Sequence, residues 1–327
     1  MPTASHITSL IKSHFEKDDL RFTTICLQIA AHEAKIGHKT LADDIQKIVD
    51  RSKQIRPVLR PINRDLEGLV LETYPLHKLS DLIVPRQLKE RVERVISEYL
   101  QVDKLRRHNL ENRRKILLSG NPGTGKTMTA SIIAAELNLP FYTILMDKMV
   151  TKFMGETSAK LRQIFELINV RKGVYLFDEF DAIGSHRSSE NDVGEMRRVL
   201  NSFLQFIEHD TSESLIIAAT NNLGLLDQAL FRRFDDVLHY YLPSSQEILL
   251  LLKNRLAGFE GEMNFKSLLP LLEGLSHAEI SQACLDAIKE TVLSDKEKVE
   301  KEILVKMIEN RKAAHILSSL VKKVTSS

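Results

Sequence analysis

A chain of 327 residues with 43% hydrophobic and 28% charged side chains has room for about two globular domains and a small appendage, which excludes a disordered or fibrous protein. Its formal net charge of +2 does not call for nucleic acid or an anionic membrane as partner, and no apolar run approaches the ~18 residues that a membrane helix needs. The chain opens on polar Met1-Pro-Thr-Ala-Ser-His with no leader pattern, and Cys26 and Cys284 lie on apolar helical faces as inert thiols, so a reduced, cytoplasmic setting is expected.

Residues 1–54 carry three helical repeats of apolar side chains. The first is Ile7, Leu10, Ile11 and Phe15; the second Phe22, Ile25, Cys26, Ile29 and Ala30; the third Leu41, Ile45, Ile48 and Val49. Gly37 stops the second helix, and Thr40 begins the third with Asp43 three residues on. Three short amphipathic helices ahead of a larger domain read as a recognition domain, the alternative being a packing extension of that larger domain. Arg56-Pro57, Arg60-Pro61 and Tyr74-Pro75 then break any helix, so residues 55–78 read as a linker.

From Leu79 to Pro243 strand candidates at 115–119, 141–145, 173–178, 214–221 and 236–242 alternate with helix-like segments. That alternation predicts an α/β fold with a mostly parallel sheet covered by helices. Residues 244–327 show only helical patterns, such as Ile248, Leu251 and Leu252, then Ile280, Cys284, Ala287 and Ile288, and predict a small all-helical domain. The basic string from Lys104 to His108 and on through Arg113-Arg-Lys115 reads as a solvated face.

Two motifs carry chemistry. Gly120-Asn-Pro-Gly-Thr-Gly-Lys-Thr127 fits G-x-x-x-x-G-K-[ST], follows the apolar run Ile116-Leu117-Leu118 and precedes a helix-like stretch. This is a phosphate-binding loop, in which Gly120, Asn121, Pro122, Gly123, Thr124 and Gly125 form the turn and Lys126, Thr127 and Met128 open the helix behind it. Gly123 and Gly125 permit the backbone to aim successive amides inward, Lys126 supplies a point charge for β- and γ-phosphates, and Thr127 a hydroxyl for magnesium. The positive end of the helix adds to the same field. About 50 residues on, the apolar Val174-Tyr-Leu-Phe ends in Asp178-Glu179. Asp178 is placed to hold magnesium, and Glu179 to take a proton from an attacking water, which hydrolysis needs and nucleotide binding alone does not. The 11 histidines show no metal-ligand spacing, so magnesium is the one ion expected.

With these motifs in place, the stretch from Leu79 to about Lys289 resembles the AAA+ ATPases, and within them the AAA branch of hexameric protein unfoldases and remodellers. The resemblance implies a P-loop NTPase core with a parallel sheet, a small helical C-terminal lid, ATP and Mg2+ as cofactors, and a homo-oligomer, most simply a hexamer. It implies that Asn221, at the end of Leu215-Ile-Ile-Ala-Ala-Thr, positions the attacking water, and that an arginine from Leu226-Asp-Gln-Ala-Leu-Phe-Arg232-Arg233-Phe-Asp reaches the neighbouring subunit's γ-phosphate. The two residues that usually separate the family's arginines are missing here, which leaves open whether Arg232 or Arg233 is the finger. Ile83 and Val84 match where the family packs the adenine, and His277 and Ala278 fall in the motif where the lid meets the nucleotide. Alanine at 278 means that the lid offers no sensor arginine.

Between the nucleotide motifs, Lys152-Phe153-Met154-Gly155-Glu156 is similar to the aromatic, hydrophobic, glycine pore loop of AAA unfoldases. A rigid aromatic beside a flexible thioether grips many sequences, and Gly155 lets the loop swing. The polar loop Ser185 to Gly194 would face the same channel by analogy. The expected function is therefore an ATP-hydrolysing ring that acts on a protein client or effector, with a serine protease as one such partner and an anti-phage cassette as one such setting. A DNA-linked loader or transposition helper is the alternative, and a slow nucleotide-gated scaffold a third; neither membrane nor nucleic acid is an expected partner.

Overall fold

The computed structural model describes residues 8–10, 13, 19–55, 66–75, 77–152, 156–185, 190–222, 224, 231–261 and 263–325. The chain divides into two compact units, residues 1–62 and 63–327. Among the described residues no helix is long and apolar enough to cross a membrane.

In the first unit, α1 (Asp19–Lys35) and α2 (Lys39–Ile55) form an antiparallel hairpin. Gly37 makes the turn at φ +95°, with its amide donating to Ala34 O and the His38 amide to Glu33 O. Ile25, Ala30 and Ala42 are buried there. Of the first predicted helix, Thr8 to Leu10 and Ser13 are helical, while Ile7, Ile11 and Phe15 lie outside the described residues.

The second unit is α/β. Its elements run β1 (Val70–Thr73), α3 (Arg86–Leu100), α4 (Val102–Arg106), β2 (Lys115–Gly120), α5 (Lys126–Glu136), β3 (Phe141–Leu145), α6 (Met146–Lys152), α7 (Thr157–Val170), β4 (Val174–Asp178), α8 (Ala182–Ser185), α9 (Glu190–His209), β5 (Leu215–Thr220) and β6 (Asp236–Tyr240). The strands make one sheet in the order β1-β3-β4-β5-β2-β6, parallel throughout except for β1. β2 and β5 are central and buried on both faces, which is why they read as unbroken apolar runs. Alternate residues serve opposite layers. Ile116, Leu118, Leu176, Ile217 and Leu238 pack with Val92, Val95 and Ile133 of α3 and α5. On the other face Phe177 meets Phe165 of α7 at 5.8 Å and Phe203 of α9 edge-on at 5.1 Å between ring centroids.

Part of the stretch that reads as the 55–78 linker belongs to this sheet. Val70 to Thr73 pair antiparallel with Phe141 to Ile144, and Leu66 and Leu69 are buried. An edge strand has a partner on one side only and needs no long apolar run, so the prolines around it dominate the sequence pattern. Of the basic string, Lys104 and Arg106 to His108 are exposed as expected, but Arg113 pairs with Glu98 at 2.8 Å, and Arg114 with Asp210, whose side chain is fully buried. In the polar loop 185–194, residues from Glu190 are already helical in α9, and 186–189 lie outside the described residues.

The lid comes next as α10 (Ser245–Arg255), a 3-10 turn at Phe265–Leu268, α11 (Leu269–Leu272), α12 (His277–Leu293) and α13 (Lys301–Thr325). Its core joins Leu252, Leu272, Ile280, Cys284, Ala287, Leu304 and Ile308. Ser244 with Glu247 and Ser276 with Glu279 form capping boxes that start α10 and α12.

The buried Arg114–Asp210 pair ties the start of β2 to the residue after α9. Removing one partner strands the other charge, so Arg114→Ala should cost about 3 kcal/mol. Urea unfolding should show a lower midpoint at unchanged slope, with much of the loss recovered by the double variant Arg114→Met, Asp210→Leu.

Candidate nucleotide site

The parallel strands β2, β4 and β5 all end at one edge of the sheet, and each delivers a polar group there. From β2 the chain turns through Asn121 to Gly125 into α5. Gly125 caps the helix at φ +100°, a left-handed conformation that favours glycine. Gly123, at φ +74°, approaches the lid so closely that a Cβ there would stand 2.6 Å from Ser276 Oγ. Thr124 Oγ1 braces the turn by donating to Asn121 O at 2.7 Å.

Lys126 is only 7% exposed. Its ammonium donates to Gly120 O at 2.7 Å, Asn121 O at 2.9 Å and Asn221 Oδ1 at 2.9 Å. Burial pushes its pKa below the ordinary lysine range, opposed by Asp178 and Asp181. All three donors are held by neutral oxygens, for which a charged phosphate oxygen would be a stronger replacement. The same contact brings Asn221, predicted from the end of β5, to the phosphate loop. Met128 packs against the core cluster beneath the loop, as Val84 does.

Thr127 Oγ1 donates to Asp178 Oδ2 at 3.0 Å, joining the helix start to the end of β4. Hydroxyl and carboxylate oxygens are hard donors of the kind magnesium takes. No cluster of three or more His, Cys, Asp or Glu able to hold a metal occurs among the described residues. Glu179 is exposed and held at φ +52°, its amide donating to Asp178 Oδ1 at 3.0 Å. Burial first, and then the like charges of Asp147, Asp178 and Asp181, raise its carboxyl above the ordinary range, which favours proton acceptance.

Three contributors escaped the sequence reading. Asp181 Oδ1 accepts from Thr220 Oγ1 at 3.2 Å and from the Asn221 amide at 3.0 Å, and so fixes the tip of β5. Its signal was present as the third acid in Asp178-Glu-Phe-Asp181. Ser276 lies against Gly123, and the Ala278 amide donates to Gly123 O at 2.9 Å, so the lid touches the loop through main chain at the position that lacks an arginine. Glu247 stands close enough to His277 to act on it electrostatically. His277 is 9% exposed, next to the main chain of Ile83, and burial lowers its pKa. Ile83 packs with the lid core and Val84 with the sheet core, so this segment lines the seam between them.

Arg232 and Arg233 do not join this group. They precede β6, whose Asp236 is level with Ile116 near the start of β2, whereas Gly120 at the end of β2 is level with Tyr240. Asp235 anchors their turn by accepting from the amides of Arg114 and Lys115, both at 2.9 Å. Arg233 Nε is bound to Glu208 at 3.1 Å, while Arg232 is exposed and makes no hydrogen bond or ion pair with the described residues. Phe153, Met154 and Gly155 lie outside the described residues.

Comparison with known proteins agrees with this architecture. Residues 116–242 match the family described as ATPase family associated with various cellular activities (AAA). Over 303 residues the chain is 32% identical to an AAA family ATPase of Sinorhizobium fredii, covering 89% of this chain and 90% of that protein. It is 34% identical over 233 residues to a proteasome-activating nucleotidase of Saccharolobus islandicus, covering 68% of this chain and 59% of the relative. A proteasome-activating nucleotidase of Methanoculleus marisnigri is 31% identical over 204 residues, 59% of this chain and 49% of that protein. The chain thus spans about half to three fifths of the length of these nucleotidases. A phosphate loop ordered against an acidic strand end, in a sheet of this order and with likeness along nearly the whole of one such ATPase, leads to one conclusion: the chain belongs to the AAA family and is an ATPase.

Proposed function

We propose that this ATPase works as a ring, most simply a hexamer, that remodels or unfolds a protein client, each ATP site being completed by an arginine of the adjacent subunit. The observation that carries the reading is the position of Arg232. It lies at the edge of the sheet where β2 begins, and Lys126 at the edge where β2 ends. Six residues of strand span roughly 17 Å, beyond an arginine's reach, so Arg232 is available only to another molecule's nucleotide. Arg233 is committed to Glu208, which favours Arg232 as the finger. The likeness to nucleotidases named for activating a proteasome supports a protein client, as does the aromatic, thioether and glycine sequence at 153–155. A serine protease is a fitting effector for such a machine.

In the mechanism these residues support, Lys126 and the loop amides hold the β- and γ-phosphates. Thr127 and Asp178 would hold magnesium, which when bound neutralises charge on the phosphate oxygens. Glu179 accepts the proton of the attacking water and Asn221, fixed by Asp181, orients that water. Arg232 of the neighbouring subunit meets the charge that develops on the transferred phosphoryl group. A finger of this kind contributes about 10³ to 10⁵ in rate, or about 4 to 7 kcal/mol of barrier.

Lys126→Ala should abolish ATP binding, seen as loss of the nucleotide-dependent rise in melting temperature. Arg232→Ala should lower turnover per site by about 10³ with ATP affinity kept, and Arg233→Ala by less than about tenfold. Mixing Arg232→Ala with Glu179→Gln subunits should restore activity, because each lesion lies in a different half of the shared site; two inactive proteins that stay inactive when mixed would exclude a finger in trans. Glu179→Gln should retain ATP and capture its client, read by purifying it from the native host and identifying bound proteins. Enrichment of salt-resistant nucleic acid in place of protein would overturn the remodelling reading.

A further inference from the structure

β6 ends against the start of the phosphate loop. Tyr240, its last residue, is level with Gly120, and the two main chains lie so close that a Cβ on Gly120 would collide with Tyr240 O. The strand's own backbone thus seats the residue that opens the loop, whose carbonyl holds Lys126. Successive strand residues point to opposite faces of the sheet. On one face the His239 ring lies 2.7 Å from the Oγ of Ser119, a buried residue at the entry to the loop. On the other face Tyr240, only 3% exposed, donates its phenol proton to Thr129 Oγ1 of α5 at 2.8 Å.

The direction of that bond is set by the next one. Thr129 Oγ1 gives its proton to Gly125 O at 3.0 Å, so toward Tyr240 it can only accept. Burial raises the Tyr240 pKa and keeps the phenol protonated, hence a donor. Gly125 O receives the Thr129 amide as well, at 2.9 Å. Phenol, hydroxyl and carbonyl therefore form one chain of donors that ends on the left-handed cap of α5, the last loop residue before Lys126. Bonds in such a chain strengthen one another. Phenylalanine would fill nearly the same buried space without a polar atom to satisfy, so packing alone does not account for the hydroxyl. We infer that Tyr240 is a positioning residue for the bound phosphates: through Thr129 it holds Gly125 in the conformation that aims the loop amides, so that the loop is ordered before nucleotide arrives. This rests on the assignment of the loop as the nucleotide site. Tyr240 touches no reacting atom. The amides it aims grip the phosphates both before and during transfer, so losing the brace weakens binding and leaves the chemical step nearly unchanged.

Tyr240→Phe removes the first donor and keeps the ring. Calorimetric titration of the full chain with ADP should show a Kd raised about five- to tenfold, the worth of one buried hydrogen bond. Steady-state assays should show the KM for ATP raised by a similar factor, with kcat kept within about twofold. Thr129→Val cuts the chain at its middle and should have an effect at least as large, whereas Thr129→Ser keeps the hydroxyl and should bind ADP within about twofold of wild type. Because both residues act through one chain, the double variant Tyr240→Phe, Thr129→Val should bind ADP no more weakly than Thr129→Val alone. An ADP Kd and a KM left at wild-type values in Tyr240→Phe, with any loss confined to the melting temperature of the nucleotide-free protein, would reduce the hydroxyl to core packing and overturn the inference. Losses that multiply in the double variant would overturn it too. A wild type that binds no ADP would overturn it together with the nucleotide-site assignment beneath it.

Discussion

The parallel register of β2, β4 and β5 is the constraint on which the rest depends. Lys115 is level with Ile216 and Val174 with Leu215, so all three strands finish within about two residues of each other. Their next residues are Asn121, Glu179 and Asn221, far apart in sequence and neighbours in space. Side chains then cross from tip to tip: Lys126 to Asn221, Thr127 to Asp178, and Asp181 to the Asn221 amide. A slip of one residue in any of these strands would turn the buried Leu117, Phe177 and Ala218 to the wrong layer, so core packing holds the chemistry in register.

The site is electrostatically unbalanced by design of its sequence. Asp147, Asp178 and Asp181 all act on Glu179, and Lys126 faces Asp178 and Asp181 from the loop. Burial first, and then these like charges, raise the proton affinity of Glu179, while Asp178 accepts from the Thr127 hydroxyl and the Glu179 amide. Unequal environments thus give adjacent acids different duties.

What the sequence made legible was whatever depends on local order. The phosphate loop, the acids after β4, the amide after β5 and both capping boxes are short strings whose spacing is itself the structure. The central strands were legible because burial on both faces demands uninterrupted apolar runs. The edge strand β1 was not, since four half-covered residues among prolines resemble a linker. Asp181 lacked only an assignment, because its target, the tip of β5, is about 40 residues away. Arg114 read as part of a charged surface, yet its partner Asp210 lies across the fold. The same distance hides Glu208 from Arg233, and with it the asymmetry between two adjacent arginines.

That asymmetry has a geometric consequence for assembly. On the proposed reading, a copy with its nucleotide at one end of its strands and its spare guanidinium at the other needs a neighbour that presents the complementary end. That match is made either reciprocally about a two-fold axis or head to tail, one face against a different face. Any open stack of such molecules ends with an idle pocket on one side and an unused arginine on the other. Only rotational closure leaves no such ends, so on this geometry cyclic symmetry is what makes every copy catalytically equivalent.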